Sequence, residues 1–218
     1  MSTLRPNATG GRRAVFLDRD GVLIRDVDHL TAASQIEILP GVPEALRRFR
    51  DARWTIVVVT NQSVVARGLV TEEELRRIHR VLETQLRGLG ASLDAVYYCP
   101  HHPEGAVGRY RVVCDCRKPE PGLLLRAAED LGIDLVASVM VGDASSDIEA
   151  GRRAGCRTIL IRPASTGTGG PGGGSDTLRG GGNTGGNTID RRRRVAPDYL
   201  ASNLQEAVEW IAALGAPS

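Results

Sequence analysis

Lysine is nearly missing from this chain. Of its 28 basic residues only Lys118 is a lysine, and arginine supplies every other fixed cation. Such a bias reflects genome composition, so the one lysine retained marks a place where a compact, rotatable ammonium does what a planar guanidinium cannot. A dominant charge is missing too: 28 basic and 26 acidic residues leave a formal net charge of +2. That balance gives no global reason for a nucleic-acid partner, and a small anionic substrate would need only a local basic pocket. No apolar run approaches the ~20 residues needed to cross a bilayer, and the opening MSTLRPNATGGRR lacks the apolar segment of a signal peptide. No membrane partner and a cytoplasmic location are therefore expected. Cysteine is scarce: four in 218 residues are too few for a disulfide scaffold. Cys99, Cys114 and Cys116 fall in one short stretch, which points to metal rather than bridges. The length allows a proper core and favours one compact domain over residues 1–218, expected as a monomer.

What is present is a regular alternation of two patterns. Ala14–Leu17 (AVFL), Thr55–Val59 (TIVVV) and Ser138–Val141 (SVMV) are short apolar runs of the kind found in strands covered on both faces. Ala95–Tyr98 and Thr158–Ile161 read as two more strands. Helical patterns lie between them at 43–52, 71–89, 121–131 and 148–154. The second carries Leu75, Ile78, Leu82, Leu86 and Leu89 at three- and four-residue spacing behind a Thr71/Glu74 capping box. Strands alternating with helices predict an α/β fold, a parallel sheet with helices on both faces. From Ser165 to Asp190 Gly, Thr, Asn and Ser dominate, so a flexible insertion is expected over 165–194. It ends in Arg191–Arg194, which without aromatic company read as a solvated loop end. A last helix is expected from Ser202, capped by Ser202 with Gln205, its stripe of Leu204, Val208, Ile211 and Leu214 docking back on the same domain.

Asp18-Arg19-Asp20-Gly21 places two carboxylates where the first strand ends. Near-extended backbone would send both side chains into the crevice beyond the sheet. Two anions there repel unless a cation joins them, and Mg²⁺ accepts carboxylate and carbonyl oxygens while leaving positions for a phosphate. Asp143 follows another strand, and Asp147 lies a helical turn further on. Asp-x-Asp-Gly alone is a weak signal because turns favour these residues. Combined in order with Thr60 after a strand, Lys118 and Gly142-Asp143, it is strong. Elsewhere, Cys99-Pro100-His101-His102 and Cys114-Asp115-Cys116 offer three thiolates and an imidazole, a donor set suited to tetrahedral zinc. Spacing leaves His101 and His102 open as the nitrogen donor, and the C-x-C spacing argues against a redox pair. Cys156 reads as a small buried apolar residue. Because the 99–116 loop ends at Arg117-Lys118, ordering it would set both cations at the mouth of the crevice.

Taken in order, these residues resemble the four motifs of the haloacid dehalogenase superfamily of phosphohydrolases. The resemblance implies a Rossmann-like three-layer α/β/α fold, with Asp18 as nucleophile and Asp20 as general acid, then base. Asp18, the Asp20 main-chain carbonyl and Asp143 would hold Mg²⁺, and Thr60 and Lys118 would neutralise phosphoryl oxygens. Phe16–Gly21, Val59–Ser63, Tyr98–Pro103 and Cys114–Pro119 together look like the D-glycero-D-manno-heptose 1,7-bisphosphate 7-phosphatase family, most of them shared with histidinol phosphatases. That resemblance covers about 15–161 and selects His101, with Cys99, Cys114 and Cys116, as the shell of a structural zinc. It also implies a phosphorylated sugar contacted by Asp26, Asp28, His29, Asn61, Gln62 and Ser63, with Arg117 on a second phosphate. No large cap domain follows Asp20, so short loops and a small zinc-binding loop must enclose the substrate. Two positions depart from the pattern: Val64 stands where glycine is usual, and Ala144 where a basic residue often contacts substrate. Heptose bisphosphate and histidinol phosphate both stay open as substrates. An inactive zinc-bearing scaffold is the alternative of another class, opposed by the intact Asp18, Asp20, Lys118 and Asp143.

Overall fold

The structure is a computed structural model and describes residues 11–163 and 196–214. Six strands form one parallel sheet: β1 Ala14–Leu17, β2 Thr55–Asn61, β3 Ala95–Cys99, β4 Val139–Gly142, β5 Arg157–Ile161 and β6 Tyr199–Ala201. Their order is β3-β2-β1-β4-β5-β6. The helices are α1 Val42–Asp51, α2 Glu72–Gly88, α3 Gly122–Leu131, α4 Ser145–Ala154 and α5 Leu204–Leu214.

Alternation along the strands sorts the apolar side chains onto two faces. Val15, Leu17, Ile56, Val58, Val139 and Val141 pack with Leu46 and Phe49 of α1, Ile78 and Leu82 of α2, and Val208 and Ile211 of α5. Ala14, Phe16, Val57, Val59 and Met140 pack with Leu123 and Ala127 of α3 and Ala150 and Ala154 of α4. Three layers result, as the alternating sequence pattern requires.

The α2 helix begins as its sequence dictates. Thr71 Oγ1 accepts from the Glu74 N–H at 3.2 Å while Glu74 Oε2 accepts from the Thr71 N–H at 2.7 Å. Leu75, Ile78, Leu82 and Leu86 are buried, each contributing about 1.5–3 kcal/mol by leaving water. Leu89 falls at the helix end and stays exposed.

The last helix differs in register from the expectation. Asn203 rather than Ser202 caps it: Asn203 Oδ1 accepts from the Glu206 N–H at 3.0 Å. Glu206 rather than Gln205 then reaches back, accepting from the Ser202 N–H at 2.7 Å. This later start keeps Leu204, Val208 and Ile211 inward and leaves Leu214 exposed. The three-residue β6 is too short to leave a period in the sequence, and it pairs with β5 through Ile159–Ile161. The insertion expected at 165–194 lies outside the described residues. No helix among the described residues is long and apolar enough to cross a membrane.

The topology fixes the place of the site. The chain runs outward from β1 to β2 and β3, then crosses back to lay β4 on the other side of β1. A crevice opens beyond the carboxyl ends of strands where the order reverses in this way. Asp18 stands there, its N–H donating to the Val141 carbonyl at 3.0 Å.

Candidate active site

Two adjacent strand ends deliver carboxylates to one point. One oxygen each from Asp18, Asp143 and Asp147 lies within 4.8 Å of the others. Gly21 makes the approach possible: its φ of 71° is left-handed, and a Cβ there would overlap the Asp143 carboxylate. Gly142 plays the same part for Asp147, whose side chain would collide with any Cβ at that position. Asp147 Oδ2 accepts from the Ala144 N–H at 3.0 Å, tying it to the start of α4.

Lys118 lies beneath these carboxylates rather than at the crevice mouth, where the sequence reading put it. Its Nζ stands 3.0 Å from Asp18 Oδ1 and 2.6 Å from Asp147 Oδ1, and it donates to the Val59 carbonyl at 2.8 Å. Those three oxygens draw the side chain inward, where it is 3% exposed. Burial pulls the ammonium toward neutrality, but Asp18 and Asp147 outweigh it and hold the pKa above the usual lysine value. Asn61 fixes the lysine's backbone, its Nδ2 donating to the Lys118 carbonyl and its Oδ1 accepting the Lys118 N–H, both at 3.0 Å. Of the three clustered carboxylates, Asp18 and Asp147 pair with this ammonium and Asp143 does not. Partial desolvation, then the charges of Asp18 and Asp147, push Asp143 up to about 7. A crowded oxygen set with excess negative charge fits a hard divalent cation.

Asp20 is held by a buried network. Arg19 Nη2 donates to Asp20 Oδ1 and Oδ2 at 3.0 and 2.9 Å, and Nε donates to Oδ1 at 3.1 Å. Gln62 Nε2 donates to Asp20 Oδ2 and to Thr60 Oγ1, both at 2.9 Å. Burial raises the Asp20 pKa against the opposing pull of Arg19 and Gln62. A carboxyl so placed can exchange a proton near neutral pH more readily than a solvated one.

The cysteine cluster gathers on the second face of the sheet. Sγ separations are 3.6 Å for Cys99–Cys114, 3.3 Å for Cys99–Cys116 and 3.2 Å for Cys114–Cys116. His101 Nδ1 stands 3.3 Å from Cys116 Sγ and 3.7 Å from Cys99 Sγ. A tetrahedral zinc with Zn–S near 2.3 Å would set sulfurs ~3.8 Å apart and nitrogen ~3.6 Å from sulfur, so these donors fit with small adjustments. His102 turns away, its Nδ1 accepting from the Glu104 N–H at 3.1 Å, and His101 is the imidazole that stands with the three thiols. Burial pushes the Cys114 thiol up, and a hydrogen bond with Cys99 does the same for Cys116. Cys156 is buried apart from the cluster.

The other expected site residues divide into two groups. Asn61 and Gln62 are engaged inside the protein, on Lys118 and Asp20. Asp26 and Asp28 are exposed, and His29 Nδ1 lies 3.1 Å from Asp28 Oδ2. Asp26 is near enough for its charge to add to the rise at Asp143. Ser63 is half-buried, and Arg117 Nη1 donates to the His101 carbonyl at 3.2 Å, linking the cysteine loop to the residue before Lys118. Sequence reading missed Arg19 and His79. Arg19 sits between two conspicuous aspartates, and His79 interrupts the apolar face of α2 four residues after Leu75; that interruption is the one sequence signal for it.

Where the carboxylates stand on this doubly wound sheet defines the class, a hydrolase like the haloacid dehalogenases. The family model described as HAD-hydrolase-like matches residues 115–172. The Escherichia coli K12 D-glycero-beta-D-manno-heptose-1,7-bisphosphate 7-phosphatase is 43% identical over 150 residues, 68% of this chain and 78% of that protein. Among solved structures, a putative HAD-like phosphatase from Mesorhizobium loti superposes with a TM-score of 0.74 at 28% identity, covering 95% of this chain and 90% of that one. The D,D-heptose 1,7-bisphosphate phosphatase of B. bronchiseptica, solved with magnesium and phosphate, gives a TM-score of 0.69 at 29% identity, covering 93% and 99%. The chain belongs to the D-glycero-β-D-manno-heptose-1,7-bisphosphate 7-phosphatase family and is a phosphatase.

Proposed function

We propose that this protein removes the 7-phosphate of D-glycero-D-manno-heptose 1,7-bisphosphate through a phosphoryl-Asp18 intermediate. The observation that carries the chemistry is the setting of Asp18, a strand-end carboxylate with Lys118 Nζ at 3.0 Å and Asp143 across the crevice. The names borne by relatives such as the E. coli protein support the substrate.

In this reading an Asp18 oxygen attacks phosphorus while the bond from phosphorus to the ester oxygen breaks. Protonated Asp20 gives its proton to the departing sugar oxygen. The ionised Asp20 then takes a proton from water, whose oxygen attacks the same phosphorus, releasing phosphate and restoring Asp18. The Lys118 ammonium, its three protons held by Asp18, Asp147 and the Val59 carbonyl, would neutralise the charge at Asp18 from behind, and the Thr60 hydroxyl would meet a phosphoryl oxygen. Asp18, Asp143 and the Asp20 carbonyl would hold Mg²⁺, which supplies charge neutralisation at the phosphate. Asp26, Asp28, His29, Ser63 and Arg117 are the proposed substrate contacts, and Asn61 and Gln62 act by placing Lys118 and Asp20. Zinc in the Cys99, His101, Cys114 and Cys116 cluster would order the 99–116 loop and, through Arg117, the approach to Lys118. Both metals would sit in one phosphatase domain.

The test is a comparison of kcat/KM for the two 1,7-bisphosphate anomers and histidinol phosphate. The reading expects a clear preference for a heptose bisphosphate; a preference for histidinol phosphate would overturn the substrate assignment.

A further inference from the structure

Arg19 is the largest fully buried side chain among the described residues. Its guanidinium touches one anion, Asp20, through Nε and Nη2, and Nη2 also donates to Gln62 Oε1 at 2.9 Å. The remaining nitrogen, Nη1, stands 3.2 Å from His79 Nε2 on α2. A guanidinium carries donors only, so His79 Nε2 must accept, which makes the ring neutral with its proton on Nδ1. Burial, then the charge of Arg19, holds the His79 pKa at about 3, in accord with that tautomer. The Tyr98 ring packs against His79 with centroids 5.3 Å apart and limits its rotation. A rigid chain thus runs from α2 through His79 and Arg19 to Asp20, and Gln62 closes it by holding Asp20, Arg19 and Thr60 together.

We propose that His79 is a positioning residue for the reaction: as a fixed acceptor it sets the Arg19 guanidinium and thereby the direction in which Asp20 presents its carboxyl to the sugar oxygen. The proposal rests on the acid–base reading of Asp20. A histidine used only to satisfy a buried arginine would affect stability and leave the two reaction steps in proportion. A positioning histidine affects the step that needs Asp20 as an acid, where a misplacement of about 1 Å costs up to ~100-fold.

The experiment uses full-length His79→Leu, His79→Gln and Asp20→Asn, each confirmed folded by circular dichroism. Rates of phosphoenzyme formation are measured on the bisphosphate and on p-nitrophenyl phosphate, whose leaving group departs without a proton. His79→Leu is expected to lose roughly 10- to 100-fold in kcat on the sugar ester with KM little changed, and to form phosphoenzyme from the aryl ester near the wild-type rate. His79→Gln, whose amide oxygen can occupy the place of Nε2, should recover most of the loss. Should His79→Leu not fold, His79→Asn, too short to reach Arg19, takes its place. Equal losses on both esters, a His79→Gln variant as poor as His79→Leu, or wild-type kcat in His79→Leu would overturn the proposal. Asp20→Asn separates the two ideas: if it loses equally on both esters, the acid role of Asp20 fails whatever His79 does.

Discussion

Lys118 Nζ lies 3.0 Å from Asp18 Oδ1, and the same nitrogen lies 2.6 Å from Asp147 Oδ1, so one ammonium joins the strand end of β1 to the first turn of α4. The only lysine in the chain therefore answers a geometric demand. Three oxygens surround a tetrahedral donor in a space closed to solvent, where a planar guanidinium would not fit. Lys118→Arg is expected to lower kcat by up to about 10²-fold, because a misfitted cation displaces the Asp18 carboxylate that it holds. Lys118→Ala should in addition destabilise the fold by about 3–5 kcal/mol, because Asp147 would be left buried without its partner. Steady-state kinetics and urea unfolding check both; a Lys118→Arg enzyme of wild-type rate would contradict them.

Asp143 has a different dependence. It stands across the crevice from Asp18, and its charge is opposed by its neighbours in the absence of a cation. Asp143→Asn is expected to raise the Mg²⁺ concentration for half-maximal activity by more than the ~10–100-fold that loss of an outer-shell contact costs. Titrating activity with Mg²⁺ decides this, and an unchanged midpoint would remove Asp143 from the cation site.

The cysteine cluster makes a prediction about folding more than about chemistry. Purified protein should contain about one zinc per chain, and Cys116→Ser or a strong chelator should lower both Tm and kcat. Elemental analysis and thermal unfolding give the readouts. Zinc removal that leaves stability and kinetics untouched would contradict the role given to the 99–116 loop.

Stability should vary with acid in a direction fixed by His79. Its ring has an ordinary pKa of 6.5, which the folded protein lowers to about 3 through burial and Arg19. Between those values the unfolded chain binds a proton here and the folded chain does not. The His79 contribution to stability therefore rises with pH across that window and falls as the solution is acidified from about 6.5 toward 3. The groups facing the ring are Arg19 and Tyr98, with Asp20 beyond the arginine. Urea midpoints between pH 4.5 and 7 should show a shallower slope for His79→Gln than for the wild type; equal slopes would count against a neutral buried His79.

Much of this was legible in the residues, for identifiable reasons. Apolar runs ending at Asp18 and Asp143 located both strand ends, because runs this short and rich in β-branched or aromatic residues suit a strand covered on two faces better than a helix. Thr71 with Glu74 announced α2 through a local hydrogen-bond pattern. The cysteine cluster was visible from spacing, and His101 was preferred over His102 by the family resemblance where spacing alone left both open. Two kinds of feature stayed hidden. Short-range register, as in the Asn203 cap and in β6, turns on one residue and leaves no period. Side-chain direction was also hidden: nothing in Asn61-Gln62 says that both amides turn inward, or that His79 meets Arg19 from 60 positions away.

The central claim is that phosphoryl transfer goes through the Asp18 carboxylate. The direct measurement is to quench the wild-type enzyme during turnover of the bisphosphate, reduce it with borohydride and map the peptides by mass spectrometry. An acyl phosphate at Asp18 is reduced to homoserine, so the account predicts that mass change at position 18 alone, and loss of phosphate release in Asp18→Asn. Phosphate release at the wild-type rate by Asp18→Asn, or a reduced residue elsewhere in the chain, would contradict it.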